Sequence, residues 1–409
     1  MSEVQKKALV AMSGGVDSSV AVLLMKEAGY SPIGVTMMLH DQDIASTAGT
    51  HLCCTPDDIE DARTVASSLG VPFYVVNFME GFREKIIDKF IDTYLEGHTP
   101  NPCIDCNRYM KFGRLFEMAD REGCEKVVTG HYAQIEYDEA KGIYKLKRAV
   151  DQTKDQTYVL YFLSQQQLAK LEFPLGKYEK TSAREIAAEG GLIVADKHDS
   201  QDICFVPDRD YAGYIDREAS GKISEILKKA EMLCKNSTNI DNEEAGFGCF
   251  VDTKGNILGK NKGYYHYTIG QRKGLGISYT EPLYVIDIIP EKNQVILGSN
   301  EELFTRRVDA VDFNLIYTPD ALVSAEELDK SDDELQQCLE PGDRVFRVTG
   351  KVRYRAKDTA GFLLLHENGN VTMVFDAAVR ASTPGQSLVV YDGDYCLGGG
   401  IIVKGGEMV

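Results

Sequence analysis

The sequence has no tryptophan, few prolines and no apolar run long enough to cross a lipid bilayer. Its longest apolar stretches, such as Ala8–Met12 and Val20–Met25, fall far short of the roughly 20 residues that a membrane span needs. The segment Met1–Lys7 is polar and is unlike the apolar part of an export signal. We therefore expect a protein that is neither inserted in a membrane nor exported, and that is cytoplasmic.

Basic side chains are scarce. The 45 lysines and arginines are outnumbered by 63 aspartates and glutamates, which gives a formal net charge of -18. Contacts with phosphate depend on Lys and Arg, so this charge disfavours non-specific binding to nucleic acid. A local basic face can still lie on an acidic protein, and an RNA partner is therefore not excluded.

The pattern of apolar residues divides the chain into three parts. A length of 409 residues by itself suggests two or three domains. In the first part, short β-branched runs alternate with amphipathic segments, as in parallel strands joined by crossover helices. We predict a doubly wound, parallel-sheet α/β domain at 1–210, a small mixed central domain at 211–280 and a β-barrel-like domain at 281–409. Within the first domain, Ile135–Ala149 alternates like a hairpin.

The segment Ser13–Ser19, with the sequence SGGVDSS, follows a predicted buried strand and opens a predicted helix. Its backbone N–H groups and hydroxyls can face an anion at the positive end of that helix. The segment lacks the Gly-Lys-Ser/Thr ending of the P-loop, and without that lysine the transfer of a γ-phosphoryl group is the less expected chemistry. The sequence predicts a phosphate-binding loop here.

Three of the ten cysteines lie in distinctive segments. Cys103 and Cys106 form a Cys-x-x-Cys pair in a turn, and Cys204 lies far along the chain in Asp199–Phe205. Without an export signal, such cysteines more often serve catalysis or metal binding than disulfides. A thiolate or persulfide can attack an activated carbon with sulfur, and a second cysteine can release that sulfur as a disulfide forms. For the pair alone, a buried or zinc-binding role stays open.

Four basic residues, Lys351, Arg353, Arg355 and Lys357, recur at every second position. We expect them on a strand, where this spacing places all four side chains on one face. Such a face is either solvated surface or a site for phosphate groups.

Together, these segments resemble the tRNA-specific 2-thiouridylases, a family of PP-loop ATP pyrophosphatases. The resemblance covers nearly the whole chain. It is carried by the SGGVDSS loop and by Thr129–Ala133, Lys154–Tyr158, Lys197–Phe205, Tyr267–Ile277, Val352–Arg355 and Cys396–Gly400. It implies a PP-loop (adenine nucleotide alpha hydrolase-like) first domain, followed by two domains that bind tRNA.

The activity implied by the resemblance is ATP-dependent 2-thiolation of the wobble uridine in tRNA anticodons. The C2 oxygen is adenylated and then replaced by sulfur, which gives 2-thiouridine, AMP and pyrophosphate. The implied cofactors are ATP and Mg²⁺. The implied partners are the anticodon stem-loop of tRNA and a protein that donates persulfide sulfur.

The resemblance also implies roles for individual residues. The implied catalytic residues are Cys106 as nucleophile, Cys204 as the cysteine that receives the persulfide, and Asp17. The implied ATP contacts are Ala11, Met12, Ser13, Gly14, Gly15, Val16, Asp17, Ser18, Met37 and Gly130. The implied tRNA contacts are Asn101, Pro102, Cys103, His131, Lys154, Asp155, Gln156, Arg353, Tyr354 and Gln386.

The chain departs from the family pattern at two positions. Many members have aspartate in place of Cys103, and histidine is more frequent in place of Asn261. With Cys103, Cys106 and Cys204, three thiolates could hold an iron-sulfur cluster whose open iron binds the sulfur. A persulfide relay through Cys204 and Cys106 and a cluster on all three cysteines are thus alternative mechanisms, and the sequence leaves both open.

Two other functions remain as alternatives. An amide-forming PP-loop synthetase would adenylate a small molecule and would not need Cys106 and Cys204. An RNA-binding module with an inactive nucleotide site is disfavoured by the intact Asp17 and the two loop glycines.

Overall fold

The computed structural model describes residues 6–39, 55–197, 203–206, 208–235, 248–320, 322–323, 328 and 331–405. The strands are β1 (Lys7–Ala11), β2 (Ser31–Met38), β3 (Phe73–Asn77), β4 (Lys126–Val128), β5 (Ala133–Asp138), β6 (Ile143–Arg148), β7 (Leu171–Glu172), β8 (Gly248–Val251), β9 (Ile257–Asn261), β10 (Tyr284–Ile289), β11 (Gln294–Gly298), β12 (Phe304–Leu315), β13 (Arg344–Lys351), β14 (Thr359–Leu365), β15 (Val371–Arg380), β16 (Ser387–Asp392) and β17 (Tyr395–Ile402).

Two of the helices contain π-helical segments, and in the described parts of the chain no helix is long and apolar enough to cross a bilayer. The helices are α1 (Val16–Glu27), α2 (Pro56–Ser68), α3 (79–95, with a π-helical segment at Arg83–Asp88), α4 (102–121, with a π-helical segment at Cys106–Arg114), α5 (Gln165–Lys170), α6 (Lys180–Glu189), α7 (Tyr211–Glu218), α8 (Ser220–Lys235) and α9 (Asp333–Cys338).

The first sheet is parallel throughout and has the strand order β3-β2-β1-β4-β7. Alternate residues of β1 point to opposite faces, so Ala8 and Val10 pack with residues of α1, α2 and α6, whereas Leu9 packs with residues of α3 and α4. Helices therefore cover both faces, as in a doubly wound fold. The predicted α/β domain is confirmed, and its phosphate-binding loop lies at the carboxyl end of β1.

The second sheet is small and mixed, with the order β10-β11-β8-β9. Strands β11 and β8 are parallel, and the other neighbours are antiparallel. Its strands lie between residues 248 and 298, so it takes strands from both sides of residue 280.

The third sheet contains a closed barrel of six strands in the order β12-β15-β14-β13-β16-β17, because β12 also pairs with β17. This confirms the β-barrel-like architecture predicted for the last part of the chain. The hairpin β5–β6, which the alternation at Ile135–Ala149 predicted, joins the same sheet. It pairs with β17 at Cys396 and Leu146, and this pairing ties the first part of the chain to the barrel.

The strand predicted from Lys351, Arg353, Arg355 and Lys357 is wrong beyond Lys351. Strand β13 ends at that residue, and residues 352–358 form a turn. Because β13 pairs antiparallel with β14, the chain must reverse direction in this short connection. Arg353, Arg355 and Lys357 therefore lie on an exposed turn rather than on one face of a strand.

Candidate active site

The loop between β1 and α1 is shaped to bind an anion. Gly14 has a φ of +71°, and a Cβ at this position would lie 2.1 Å from the carbonyl oxygen of Asp58. Gly15 is the N-cap residue of α1. Because it has no side chain, no side-chain hydrogen bond caps the backbone N–H groups of the first turn. The Ser18 hydroxyl accepts the N–H of Ser13 and donates to the Gly15 carbonyl, both at 3.1 Å. These donors at the positive end of α1 fit the phosphates of ATP.

Asp17, in the first turn of α1, is held by two side chains from distant parts of the sequence. Lys180 Nζ donates to both carboxylate oxygens, at 2.7 and 2.8 Å. The Tyr132 hydroxyl donates to Oδ1 at 2.9 Å. Gly130 packs against the same turn, where a Cβ would lie 2.8 Å from backbone atoms of Asp17 and Ser18. Only glycine fits at this contact between the loop after β4 and the phosphate-binding loop.

The remaining predicted ATP contacts lie at the same edge of the sheet. Ala11 ends β1, Met12 follows it directly, and Met37 lies near the end of β2. Met12 is anchored by its neighbours, because its N–H donates to Val35 at 2.8 Å and its carbonyl accepts the hydroxyl of Thr36 at 2.7 Å. The structure thus brings all the predicted ATP-binding residues to the carboxyl ends of β1, β2 and β4, where a parallel sheet binds its ligand.

Lys197 ties the phosphate-binding loop to the start of α2. Its Nζ donates to the carbonyl of Gly14 at 3.0 Å and to the carboxylates of Asp58 and Asp61, both at 2.6 Å. Arg184, in α6, donates to the Lys197 carbonyl at 3.1 Å. The residue that opens the Lys197–Phe205 segment is therefore fixed against the predicted ATP site.

The segment that precedes Cys106 is held against the barrel. Gln386 Nε2 donates to the carbonyls of Thr99 and Pro100, at 3.0 and 3.1 Å. The turn predicted for the Cys-x-x-Cys pair is wrong, because α4 begins at Pro102 and Cys103 lies in its first turn. Cys106 is half-buried at the start of the π-helical segment. π-helical segments inside α-helices are frequent at functional sites.

Cys103 lies close to the barrel turn 352–358. Burial raises the pKa of Tyr354, and the negative charges of Asp155 and of a Cys103 thiolate raise it further. The Tyr354 hydroxyl donates to the carbonyl of Asp155 at 3.1 Å. The Asp155 carboxylate is itself buried, and it accepts the hydroxyl of Thr157 at 2.7 Å. Three segments predicted to bind tRNA therefore meet beside the Cys-x-x-Cys pair.

Two buried polar residues flank Cys106. Asp105 pairs with Lys89 at 2.8 Å, yet burial outweighs this pairing and raises the pKa of the Asp105 carboxyl. Asn107 donates to the carbonyl of Val159 at 3.1 Å. Its Oδ1 is the one buried side-chain N or O atom without a hydrogen-bond partner among the residues that the structure describes.

Cys204 is half-buried and packs on the same apolar cluster as Cys106. The next residue, Phe205, anchors it, since its ring lies 5.9 Å from that of Phe82 and 5.1 Å from that of Phe90. Residues 198–202, which belong to the predicted motif, lie outside the described residues. Cys204 follows Lys197 by seven residues, a distance that a chain spans in at most roughly 25 Å. This connection limits how far Cys204 can lie from Lys197 at the predicted ATP site.

Among the residues that the structure describes, Cys103, Cys106 and Cys204 do not form a group that would surround a single metal ion. Within the described ranges, the residues that could surround one metal ion are Glu340, Asp343 and His366, in the barrel. Their potential ligand atoms all lie within 4.8 Å of one another. There His366 Nδ1 is hydrogen-bonded to Asp343 at 2.8 Å and Nε2 to Thr372 at 3.0 Å. The cysteines of an iron-sulfur cluster bind different irons and need not lie this close together, so the cluster stays an alternative to the relay.

The predicted tRNA contacts differ in accessibility. Arg353 is exposed and Lys154 is partly exposed, whereas Tyr354 is 39% exposed but its hydroxyl donates to the carbonyl of Asp155. His131 is buried between the rings of Phe112 and Phe173, and burial lowers the pKa of its imidazole well below the usual value. Gln156 accepts the N–H of Tyr132 at 2.9 Å through Oε1. The RNA contacts of all these residues stay predictions.

Sequence reasoning missed Lys180. This residue belongs to none of the motifs, and it reaches Asp17 only because α6 packs along α1, where the structure brings Gly190 beside Leu23. One signal could have pointed to it: a phosphate-binding loop that lacks the P-loop lysine needs a cation from another part of the chain.

Comparison with known proteins identifies the family. The model described as the tRNA methyl transferase HUP domain matches residues 6–208, that of the tRNA methyl transferase PRC-barrel domain matches 241–299, and that of the aminomethyltransferase beta-barrel domain matches 332–402. A solved 4-thiouridine synthetase in complex with RNA and ATP is 18% identical, with a TM-score of 0.34, over 53% of this chain and 50% of that chain. This similarity is too low to support any conclusion about the activity of the chain.

Full-length relatives are far more similar. The tRNA-specific 2-thiouridylase MnmA of Clostridioides difficile is 48% identical over 98% of this chain and 98% of its own length. The protein of the same name from Acetivibrio thermocellus is 44% identical over 97% of this chain and 99% of its own length. With the PP-loop fold and the cysteine segments in place, this identity shows that the chain belongs to the tRNA-specific 2-thiouridylase family.

Proposed function

We infer that this chain is an ATP-dependent tRNA sulfurtransferase that converts the wobble uridine of anticodons to 2-thiouridine. The observation that carries the inference is the full-length similarity to 2-thiouridylases, at 48% identity. The site supports it, because a phosphate-binding loop and a half-buried Cys106 lie in the same α/β domain. An amide-forming synthetase is not supported, since it has no need of Cys106 and Cys204.

In the first step, the C2 oxygen of uridine attacks the α-phosphorus of ATP. The bond from that phosphorus to the bridging oxygen breaks, pyrophosphate leaves and the uracil N3 proton is lost. The loop Ser13–Ser18 would hold the phosphates through N–H groups at the start of α1, which is pre-organised for negative charge. Mg²⁺ bound together with ATP would neutralise part of the charge on the phosphates held by this loop.

In the second step, sulfur replaces AMP. The terminal sulfur of a Cys204 persulfide attacks C2, and the bond from C2 to the AMP oxygen breaks. The Cys106 thiolate then attacks Cys204 Sγ, which leaves sulfur on the base and forms a Cys106–Cys204 disulfide. A dithiol reductant must reopen that disulfide before the next turnover. The relay needs Cys106 and Cys204 alone, and a cluster on Cys103, Cys106 and Cys204 stays the alternative route.

The RNA would lie across the first and last parts of the chain. A base in an anticodon loop is single-stranded and can enter a pocket at lower cost than a base in a duplex. Residues 101–103 are held against the barrel by Gln386, and the exposed Arg353 lies on the neighbouring turn. This arrangement suits a base beside Cys106 and a phosphate on the barrel.

Several other elements of the proposal follow from the family. The catalytic domain would comprise residues 1–210, and the tRNA-binding domains residues 211–280 and 281–409. A protein persulfide donor would load Cys204, and the enzyme would act in the cytoplasm.

The test separates adenylation from sulfur transfer. We expect Cys106→Ser and Cys204→Ser to abolish 2-thiouridine formation while both variants keep tRNA-dependent exchange of pyrophosphate with ATP. Cys249→Ser, at a half-buried cysteine in the second sheet, is the matched control and should thiolate like wild type. Full thiolation by either serine variant would overturn the relay, and ATP–pyrophosphate exchange with a small metabolite instead of tRNA would overturn the function.

A further inference from the structure

The phosphate-binding loop contains a negative charge where phosphate would bind, and the loop has no lysine or arginine of its own to neutralise it. The positive end of α1 attracts phosphate with roughly half an elementary charge. Asp17 places a carboxylate in the same first turn, with 29% of its side chain exposed. ATP and pyrophosphate are polyanions, so an uncompensated carboxylate here would repel them. The loop also lacks the lysine with which a P-loop neutralises phosphate.

Lys180 supplies the compensating charge from outside the loop. Its ammonium bonds both oxygens of Asp17, its side chain is only 11% exposed, and it lies 5.6 Å from the ring centre of Tyr132. Its backbone N–H donates to Asp151 at 3.1 Å, which fixes the first turn of α6. Hydrogen bonds of both the side chain and the backbone of Lys180 thus fix the position of its ammonium group.

The second lysine at the loop has a different arrangement. Lys197 is shared between the carboxylates of Asp58 and Asp61, and both are bound at 2.6 Å. Its contact with the loop is to the carbonyl of Gly14 rather than to a charged side chain. Among the contacts described for Asp17, the cation is therefore Lys180.

We propose that Lys180 is a positioning residue that neutralises and orients Asp17, so that the start of α1 can bind the β- and γ-phosphates of ATP and the pyrophosphate product. This proposal rests on the proposed function, since ATP is the cosubstrate of that reaction. It adds a residue that lies in none of the motifs, and it makes the phosphate site depend on a contact between α1 and α6.

The test measures binding of ATP, pyrophosphate and AMP by calorimetry, without tRNA or a sulfur source. We expect Lys180→Met to weaken ATP and pyrophosphate binding by at least about tenfold, since a charge-assisted pair is removed beside a polyanion. AMP lacks the β- and γ-phosphates and should bind as it does to wild type, which also reports that the variant is folded. Lys180→Arg should restore most of the affinity, and Lys177→Met, at an exposed lysine three residues earlier, should have no effect.

A double variant distinguishes action through Asp17 from direct contact with phosphate. If Lys180 acts through Asp17, then Asp17→Asn combined with Lys180→Met removes the unpaired carboxylate and binds pyrophosphate more tightly than Lys180→Met alone. No recovery in the double variant would overturn the positioning role, and wild-type affinity of Lys180→Met for pyrophosphate would overturn the proposal entirely. If Lys180→Met does not fold, Lys180→Gln applies the same test, because its amide can bond Asp17 without charge. Because no thiolation is measured, failure here leaves the proposed function intact.

Discussion

At the scale of single residues, Cys103 is where the two sulfur routes differ. Its side chain is exposed beside Tyr354, whereas Cys106 and Cys204 are half-buried on one apolar cluster. A relay uses Cys106 and Cys204 alone, whereas a cluster needs all three cysteines.

We expect Cys103→Ala to keep most of the wild-type thiolation rate, because the relay does not use this thiol. Anaerobically purified wild type and variant should both contain no stoichiometric iron or sulfide. Colorimetric iron and sulfide analysis, together with mass spectrometry of digested tRNA, measures both. Iron that is present in wild type and disappears together with activity in Cys103→Ala would contradict the relay, and Cys106→Ala is the inactive reference.

Burial makes His131 a source of pH dependence. The pKa of His131 is lowered in the folded state, so the unfolded chain binds a proton there more readily. Its contribution to stability is complete above the ordinary histidine pKa of about 6.5 and is lost as the pH falls from there toward the folded pKa. The slope for one proton is at most about 1.4 kcal/mol per pH unit.

We expect His131→Asn to flatten the fall in stability between pH 7 and pH 5, since the amide can still bond the Thr129 hydroxyl but does not titrate. Urea unfolding midpoints at several pH values measure this. His98→Asn, at a partly exposed histidine, serves as the control. A wild-type slope in His131→Asn would contradict the assignment.

At the scale of elements, the segment before α4 depends on the barrel loop between β15 and β16. Gly385 has a φ of +86°, and a Cβ there would lie 3.0 Å from His98 Cβ and from the backbone N and O of Thr99. The Thr99 N–H donates to the Pro384 carbonyl at 2.8 Å. The position of Cys106 is therefore coupled to a loop almost 280 residues away in sequence.

We expect Gly385→Ala to slow thiolation, because the added Cβ would displace the segment before Cys106. The affinity for ATP should change little, because the substitution leaves the phosphate-binding loop in position. Gly369→Ala is a matched control: its φ is +84°, so it has the same backbone strain, but nothing lies within 4 Å of its Cβ. Both variants should lose stability by about 1 kcal/mol or more from that strain. Equal thiolation rates in the two variants would show that the contact with Thr99 has no role.

At the scale of the whole molecule, an acidic chain must bind RNA through local charge. The net charge is -18, yet Arg353 and Arg355 are exposed together on the turn after β13. The turn lies beside Cys103, so its charge is placed where the RNA backbone would pass.

We expect Arg353→Gln with Arg355→Gln to weaken tRNA binding and to lower the slope of log affinity against log salt by about one for each phosphate that the protein no longer neutralises. Filter binding at several salt concentrations measures the slope. Arg344→Gln, at an exposed arginine at the other end of β13, should leave it unchanged. An unchanged slope in the double variant would remove the turn from the RNA site.

The sequence by itself determined the doubly wound sheet, the phosphate-binding loop, the hairpin at Ile135–Ala149 and the family. These features depend on residues that are close neighbours in the chain: apolar periodicity, a glycine-rich turn between a strand and a helix, and short motifs. Two local predictions were wrong: the Cys-x-x-Cys pair lies in a helix rather than a turn, and the strand through Lys357 ignored the reversal that pairing with β14 imposes.

Only the tertiary structure decided which distant residues meet. It brought Lys180 to Asp17, Gln386 to Thr99 and Tyr354 to the neighbourhood of Cys103. It also added β5 and β6 to the barrel sheet. Strand β17 pairs with β12 only from Gly398 onward, so its first residues, Tyr395 and Cys396, present an edge with which β6 pairs. Such contacts follow from how sheets and helices pack against one another over hundreds of residues, and no pattern within a short window of sequence contains that information.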